Sequence, residues 1–233
     1  DYQRSRGLGD VYKRQYNLLA NTLPRFGITT TFVDPDNPNE FTKAVKSNTR
    51  VFFAESLGNP KLDVIDLKSI SDAAKKAKVP FIVDNTVASP ALLNPIEHGA
   101  NIVIHSLTKY LTGNGTSIGG VIIDAGTFDW ANGNFPEFTE PNPSYHGLNY
   151  HEALGNIAFI AKVRIEGLRD LGSAPSPFNS FQSIQGIETL DIRMKKHSEN
   201  ALKLAAWLST KEEVAWVNYP GLKTSKYNTF CLL

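Results

Sequence analysis

Two short apolar runs, Phe81-Ile82-Val83 and Ile102-Val103-Ile104, constrain this chain more than any other feature. Both are apolar at every position rather than at alternate ones. A strand with water on one face alternates, whereas a strand covered on both faces does not. The runs therefore predict strands of a parallel sheet buried between layers of helix. Each one ends in polar chemistry: Asp84-Asn85-Thr86 follows the first, and His105-Ser106-Leu107-Thr108-Lys109 contains the end of the second. Open α/β sheets bind ligands beyond the carboxyl ends of their strands. Asp84, Ser106, Thr108 and Lys109 are thus candidate site residues.

An aspartate at the end of a buried strand is costly unless something pairs with it. Two hydroxyls and an amine on the next strand suit a phosphorylated aldehyde: the hydroxyls bind phosphate and the amine forms a Schiff base. A carboxylate beside a pyridine nitrogen keeps the ring protonated and makes it an electron sink. Together the four residues point to pyridoxal 5'-phosphate. The competing readings are structural. Asp84 suits a helix N-cap or a metal ligand, Lys109 a solvated turn, and Ser106 and Thr108 caps on the loop backbone. His105 reads as a packed core residue.

Strands are predicted at 51–54, 81–84, 102–106 and 121–123, alternating with helical segments as in an α/β sheet. Residues 29–33, β-branched and aromatic, predict a further strand. Leu18, Leu19 and Leu23 fall on helical spacing over 16–25, closed by Gly27. The acid-rich 34–40 lacks the glycine and distal glutamate of a calcium loop, and reads as a turn capping a helix with Phe41, Ala44 and Val45. Asp66 opens a helix with Leu67, Ile70, Ala74 and Ala77 on one face. A loop and short helix fill 90–98.

Further on, 131–150 is rich in Gly, Pro and Asn, long for a loop in a compact domain, and a functional candidate. Leu154, Ile157, Ala161, Ile165, Leu168 and Leu171 predict one amphipathic helix over 152–171, and Pro175 and Pro177 break the pattern. Met194, Ala201, Leu204 and Leu208 line one side of a helix over 190–208. Gly113, Gly115, Gly119 and Gly120 are too loosely spaced for a dinucleotide fingerprint and read as backbone freedom beside Lys109. His146 and His151 make a poor metal pair, and no metal site is expected.

Composition narrows the class. The 233 residues carry a net charge of +1 with no dense Lys/Arg block, which points to neither nucleic acid nor an anionic membrane surface. No apolar run approaches the ~20 residues of a membrane helix. Cys231 is the single cysteine, so no disulfide framework exists, which fits a cytoplasmic location. Residues 1–15 read as a non-native leader.

Ala54-Glu55-Ser56-Leu57-Gly58-Asn59-Pro60, Val83-Asp84-Asn85-Thr86 and Ser106-Leu107-Thr108-Lys109-Tyr110, in that order, resemble the cysteine/methionine-metabolism family of pyridoxal-phosphate enzymes. Tyr16-Asn17-Leu18-Leu19-Ala20, Gly113-Asn114-Gly115-Thr116 and the stretch 119–147 are similar to its sulfhydrylase branch rather than its lyases. The resemblance implies an α/β fold of the aspartate-aminotransferase type (fold type I), with a mostly parallel sheet and one antiparallel strand. It implies a large domain over 16–188, and over 189–233 a linking helix and the start of a small carboxyl-terminal domain, opened by a strand at 214–217. It also implies that the chain after residue 15 is an internal piece of a larger enzyme.

In function, the resemblance implies γ-replacement on O-acetylhomoserine by sulfide or a thiol, giving homocysteine or methionine and acetate, in a homotetramer. Lys109 would carry the cofactor, Asp84 pair its ring nitrogen, Ser106 and Thr108 hold its phosphate, and Asn59 approach its ring hydroxyl. Thr86 would line the ring. Cystathionine γ-synthase or γ-lyase chemistry is the alternative on the same cofactor, and a cofactor-free α/β scaffold the alternative from another class. Tyr12 falls where the family has a ring-stacking tyrosine, but Lys13-Arg14-Gln15 departs from the family pattern there. The family's upstream phosphate turn, its residues lent by a neighbouring subunit and its late carboxylate-binding arginine have no counterpart in the sequence.

Overall fold

A computed structural model describes residues 15–232. The leader expected at 1–15, and Tyr12 with it, fall outside the described residues apart from Gln15. Four strands form one sheet in the order β1 (Phe52–Glu55), β2 (Phe81–Asp84), β3 (Ile102–Ser106), β4 (Gly120–Asp124). β1, β2 and β3 run parallel, and β4 is antiparallel to β3, as expected. Three parallel strands and one antiparallel strand, covered by helices, make the mostly parallel α/β sheet that was expected.

Period-two alternation sends neighbouring residues to opposite faces. Phe81, Val83 and Val103 pack under helices α1 (Pro38–Lys43) and α2 (Leu67–Ala77), with Phe41, Ile70 and Ala74. Ile82, Ile102 and Ile104 face the other way, against Trp130, Phe135, Phe138 and Tyr150. Each large side chain removed from water in this way contributes about 1.5–3 kcal/mol. Both faces are covered, which is why the runs are apolar throughout.

Local signals set the helix ends. Asn37 caps α1 by accepting from the Asn39 amide at 3.2 Å. Asp66 caps α2, accepting from the Ser69 amide at 3.0 Å, and Lys78 closes it in the left-handed region. Asp66→Ala is expected to lower stability by about 1 kcal/mol, read as a shift of the urea midpoint at unchanged slope. Gly99 has φ +95°, and a Cβ there would lie 2.3 Å from Ser71 Oγ, so only glycine fits where the chain passes under α2.

Several expectations are corrected. Residues 29–33 and 214–217 form no strand; a strand needs a hydrogen-bonded neighbour, and among the described residues none lies beside either segment. The helix predicted over 152–171 is interrupted at Gly155 (φ +53°, ψ −124°) and resumes at Ala158–Lys162 with another phase. Ile157 and Leu171 are consequently exposed, while Ala158 is buried and Phe159 and Ile165 pack beside it. Pro175 and Pro177 do break the pattern, with 172–176 outside any helix, and Pro177 in addition starts the next one. It opens α3 (Pro177–Glu188), capped by Ser176 Oγ on the Asn179 amide at 3.1 Å, where a missing N–H costs nothing.

α4 spans Leu190–Leu208 as predicted, with Met194 and Ala205 buried and Leu204 exposed. The long loop at 131–150 is a packing layer. Trp130 stacks on Phe138 and Phe159 at centroid distances of 4.3 and 5.1 Å and covers the second face of the sheet.

Candidate active site

The site is built at the carboxyl ends of β1, β2 and β3. Glu55 and Asp84 end β1 and β2 as register partners, and Ser106 ends β3. Thr86 joins the two inner strands: its Oγ1 accepts from the Ser106 amide at 2.8 Å, while its own amide donates to Asp84 Oδ1 at 3.0 Å. Asp84 Oδ2 accepts from the Gln15 side-chain amide at 3.0 Å. The carboxylate therefore has one oxygen fixed by the loop and the other turned to a donor from outside the sheet.

Lys109 lies three residues past β3, in a wide helical turn over Leu107–Leu111. Its backbone leaves the helical region, with φ −99° and ψ −129°. The side chain is exposed, and among the described residues nothing pairs with its amine. Thr108 lies next to Lys109 within the same turn. Its hydroxyl accepts from the Gly119 amide at 3.2 Å and faces the Gly119 carbonyl at 3.4 Å, which closes the loop between β3 and β4. Asn59 is exposed on the loop after β1, with its backbone amide on Glu55 Oε2 at 3.0 Å. Asp84, Thr86 and Ser106 are thus joined directly, Lys109 and Thr108 follow through the turn, and Asn59 connects only through Glu55.

Beneath these residues lies a buried polar floor. Ser56 Oγ donates to Asn85 Oδ1 at 2.7 Å, and the Asn85 amide group donates to the carbonyls of Ser89 (3.2 Å) and Leu93 (2.8 Å). His105 Nδ1 meets the Asn85 carbonyl at 3.1 Å. Burial pushes the His105 imidazole down, against the smaller upward pull of that carbonyl and of Asp84, so it stays neutral at pH 7. With its groups paired, Asn85 fixes the chain that follows Asp84 to the end of β1 and to the helix after it.

Glu55 carries the opposite strain. Burial pushes its carboxyl up, and the Asp84 charge adds to this against the Asn59 hydrogen bond. A raised folded-state value favours the protonated form. The stability it contributes is present below the ordinary value of 4.5 and is lost as pH rises through the raised one. Glu55→Gln keeps an acceptor for the Asn59 amide and removes that loss. Its urea midpoint is expected to exceed wild type at pH 7 and to match it at pH 4. Equal pH dependence in both proteins would show that Glu55 is not strained.

Sequence reasoning missed the brace behind the lysine turn. Thr112 Oγ1 donates to Ser183 Oγ at 3.0 Å, and Ser117 Oγ to Gln182 Oε1 at 2.6 Å, both on α3. A Cβ on Gly186 would sit 2.2 Å from the Thr112 carbonyl oxygen, so α3 lies directly on the turn. Glycine inside a helix is the signal that could have found it, because it weakens the helix and usually marks close packing.

The arrangement fits pyridoxal phosphate. It offers an amine with no partner among the described residues, a carboxylate oxygen that accepts an N–H from outside the sheet, and the Ser106 hydroxyl at the start of the turn. Comparisons with known proteins agree. The family of Cys/Met metabolism PLP-dependent enzymes matches residues 8–231. The O-acetyl-L-homoserine sulfhydrylase of Leptospira meyeri is 55% identical over 93% of this chain and 51% of its own length. The homocysteine synthase of Schizosaccharomyces pombe is 47% identical over 92% and 51%. The chain spans about half the length of the curated relatives it matches. A solved Campylobacter jejuni structure that contains N'-pyridoxyl-lysine-5'-monophosphate superposes with a TM-score of 0.89 at 40% identity, over 93% of this chain and 54% of that one. The O-acetylhomoserine sulfhydrylase of Wolinella succinogenes gives 0.82 at 34% identity, over 94% and 59%. With its fold and nearly its whole length matched, the chain belongs to the Cys/Met metabolism family of PLP-dependent enzymes.

Proposed function

We propose that the protein carrying this chain replaces the acetoxy group of O-acetylhomoserine by sulfide or a thiol, releasing acetate and forming homocysteine or methionine. The observation that carries this reading is the strand-end set Asp84, Ser106 and Lys109 within a chain 55% identical to an O-acetyl-L-homoserine sulfhydrylase. The exchange balances: the γ C–O bond breaks with its electron pair leaving on acetate, and sulfide brings the pair for the new C–S bond. When bound, pyridoxal phosphate supplies an aldehyde for amine capture and a ring that accepts electrons.

The chain's own residues do the rest. Lys109 anchors the cofactor and, once free, moves protons at the substrate's α and β carbons. Asp84 holds a proton on the ring nitrogen, its position set by Thr86 and by the floor at Asn85. The Ser106 and Thr108 hydroxyls would hold the phosphate. Asn59 approaches the ring hydroxyl from the Glu55 loop. The same family reading supports a cytoplasmic homotetramer, and a large domain reaching residue 188 with α4 leading out of it.

Product analysis tests the reaction. The full-length protein, with pyridoxal phosphate and O-acetylhomoserine, should yield homocysteine and acetate in equal amounts when sulfide is supplied. Cystathionine from cysteine, with no homocysteine from sulfide, would overturn the assignment.

A further inference from the structure

One guanidinium ties the lysine turn to both helices behind it. Arg193, in the first turn of α4, donates from Nη1 to the Tyr110 carbonyl at 2.8 Å. Its Nη2 donates to the carbonyls of Leu111 at 3.2 Å and Gly186 at 2.7 Å, and its Nε to Thr189 Oγ1 at 3.1 Å. The Tyr110 and Leu111 carbonyls end the turn that contains Lys109, and the Gly186 carbonyl lies in the last turn of α3. Carbonyls at helix ends lack partners within the helix, and a cation there is favourable. Gly113 completes the contact. It has φ +80°, and a Cβ on it would come within 2.6 Å of Nη1.

We propose that Arg193 is the positioning residue for Lys109. It pins residues 110–113, immediately after the lysine, so that Lys109 keeps its non-helical backbone and presents its amine beyond the carboxyl edge of the sheet. The inference rests on Lys109 being the cofactor lysine. Its physical basis is the planar fork, which satisfies three carbonyls on two chain segments at once. A lysine ammonium keeps the charge and loses that geometry.

The test compares wild type, Arg193→Lys, Arg193→Gln and Gly113→Ala in the full-length protein by hydrogen exchange and by borohydride labelling with pyridoxal phosphate. The Thr112 and Gly113 amides bond within the turn, to the carbonyls of Leu107 (3.2 Å) and Lys109 (2.9 Å), and report on it directly. All three variants should lose protection at these two amides by on the order of tenfold or more. Amides of β2 and β3 should stay at wild-type protection, and labelling should spread from Lys109 to other lysines. Unchanged turn protection, or an equal loss across β2 and β3, would overturn the proposal. Gly113→Ala crowds the guanidinium and also strains a backbone at φ +80°, so Arg193→Gln, which leaves the backbone unchanged, decides the matter should Arg193→Lys fail to fold. If wild type itself is labelled elsewhere than Lys109, the cofactor assignment fails, while the exchange arm still reports whether Arg193 holds the turn.

Discussion

Lys109→Ala in the full-length protein is expected to lose turnover by about 10³-fold or more, because one change removes both the cofactor's covalent anchor and the proton carrier. The group fixed by borohydride on the wild-type peptide containing Lys109 should vanish with it. Added amines should recover part of the activity, since they replace the proton carrier, whereas Lys109→Arg keeps the charge and recovers none. The geometry behind this expectation is specific. Lys109 sits on a turn held by α3 and by Arg193, with no partner for its amine among the described residues. A variant within tenfold of wild type, or label on another lysine, would remove Lys109 from the chemistry.

Asp84→Ala should cost about 10²-fold or more in turnover, close to 3 kcal/mol of barrier, since an unprotonated ring is a poor electron sink. Asp84→Asn should behave similarly, because an amide keeps the shape and loses the charge. Cofactor capture at Lys109 should survive in both, which separates an electronic role from collapse of the site. The Asp84 carboxylate is held at Oδ1 by the Thr86 amide and seated on the paired Asn85 floor, so truncating its side chain leaves the backbone support intact. Near-normal rates in the alanine variant would make the strand-end acid structural.

Much of this was legible in the residues themselves, and what was missed follows a pattern. β2 and β3 were expected at the boundaries they have, as was α4, and β1 and β4 to within a residue. Asp66 was expected to open its helix and does so. These features depend on near neighbours: apolar continuity, a capping side chain three residues away, and a 3.6-residue period. The family's sheet topology and cofactor followed from motif order, and the comparisons support both. The role of each site residue remains an assignment that Lys109→Ala and Asp84→Ala test.

The tertiary structure decided what depends on distance in space. Residues 29–33 have strand-forming side chains and no strand, because a ladder needs a second backbone alongside. Gly155 resets the phase of a helix whose apolar positions looked continuous, so burial passes from Ile157 to Ala158. Thr108 has a composition suited to phosphate and a hydroxyl engaged with Gly119, eleven residues along the chain. Arg193 reads as one more charge on an amphipathic helix until three carbonyls converge on it. The sequence by itself determined the four strands of the sheet, the cap at Asp66 and the polar residues at the strand ends. Which of those residues touch, and what holds Lys109 in place, was settled only when the chain closed on itself, because a hydrogen bond selects its partner by proximity and direction and not by position in the sequence.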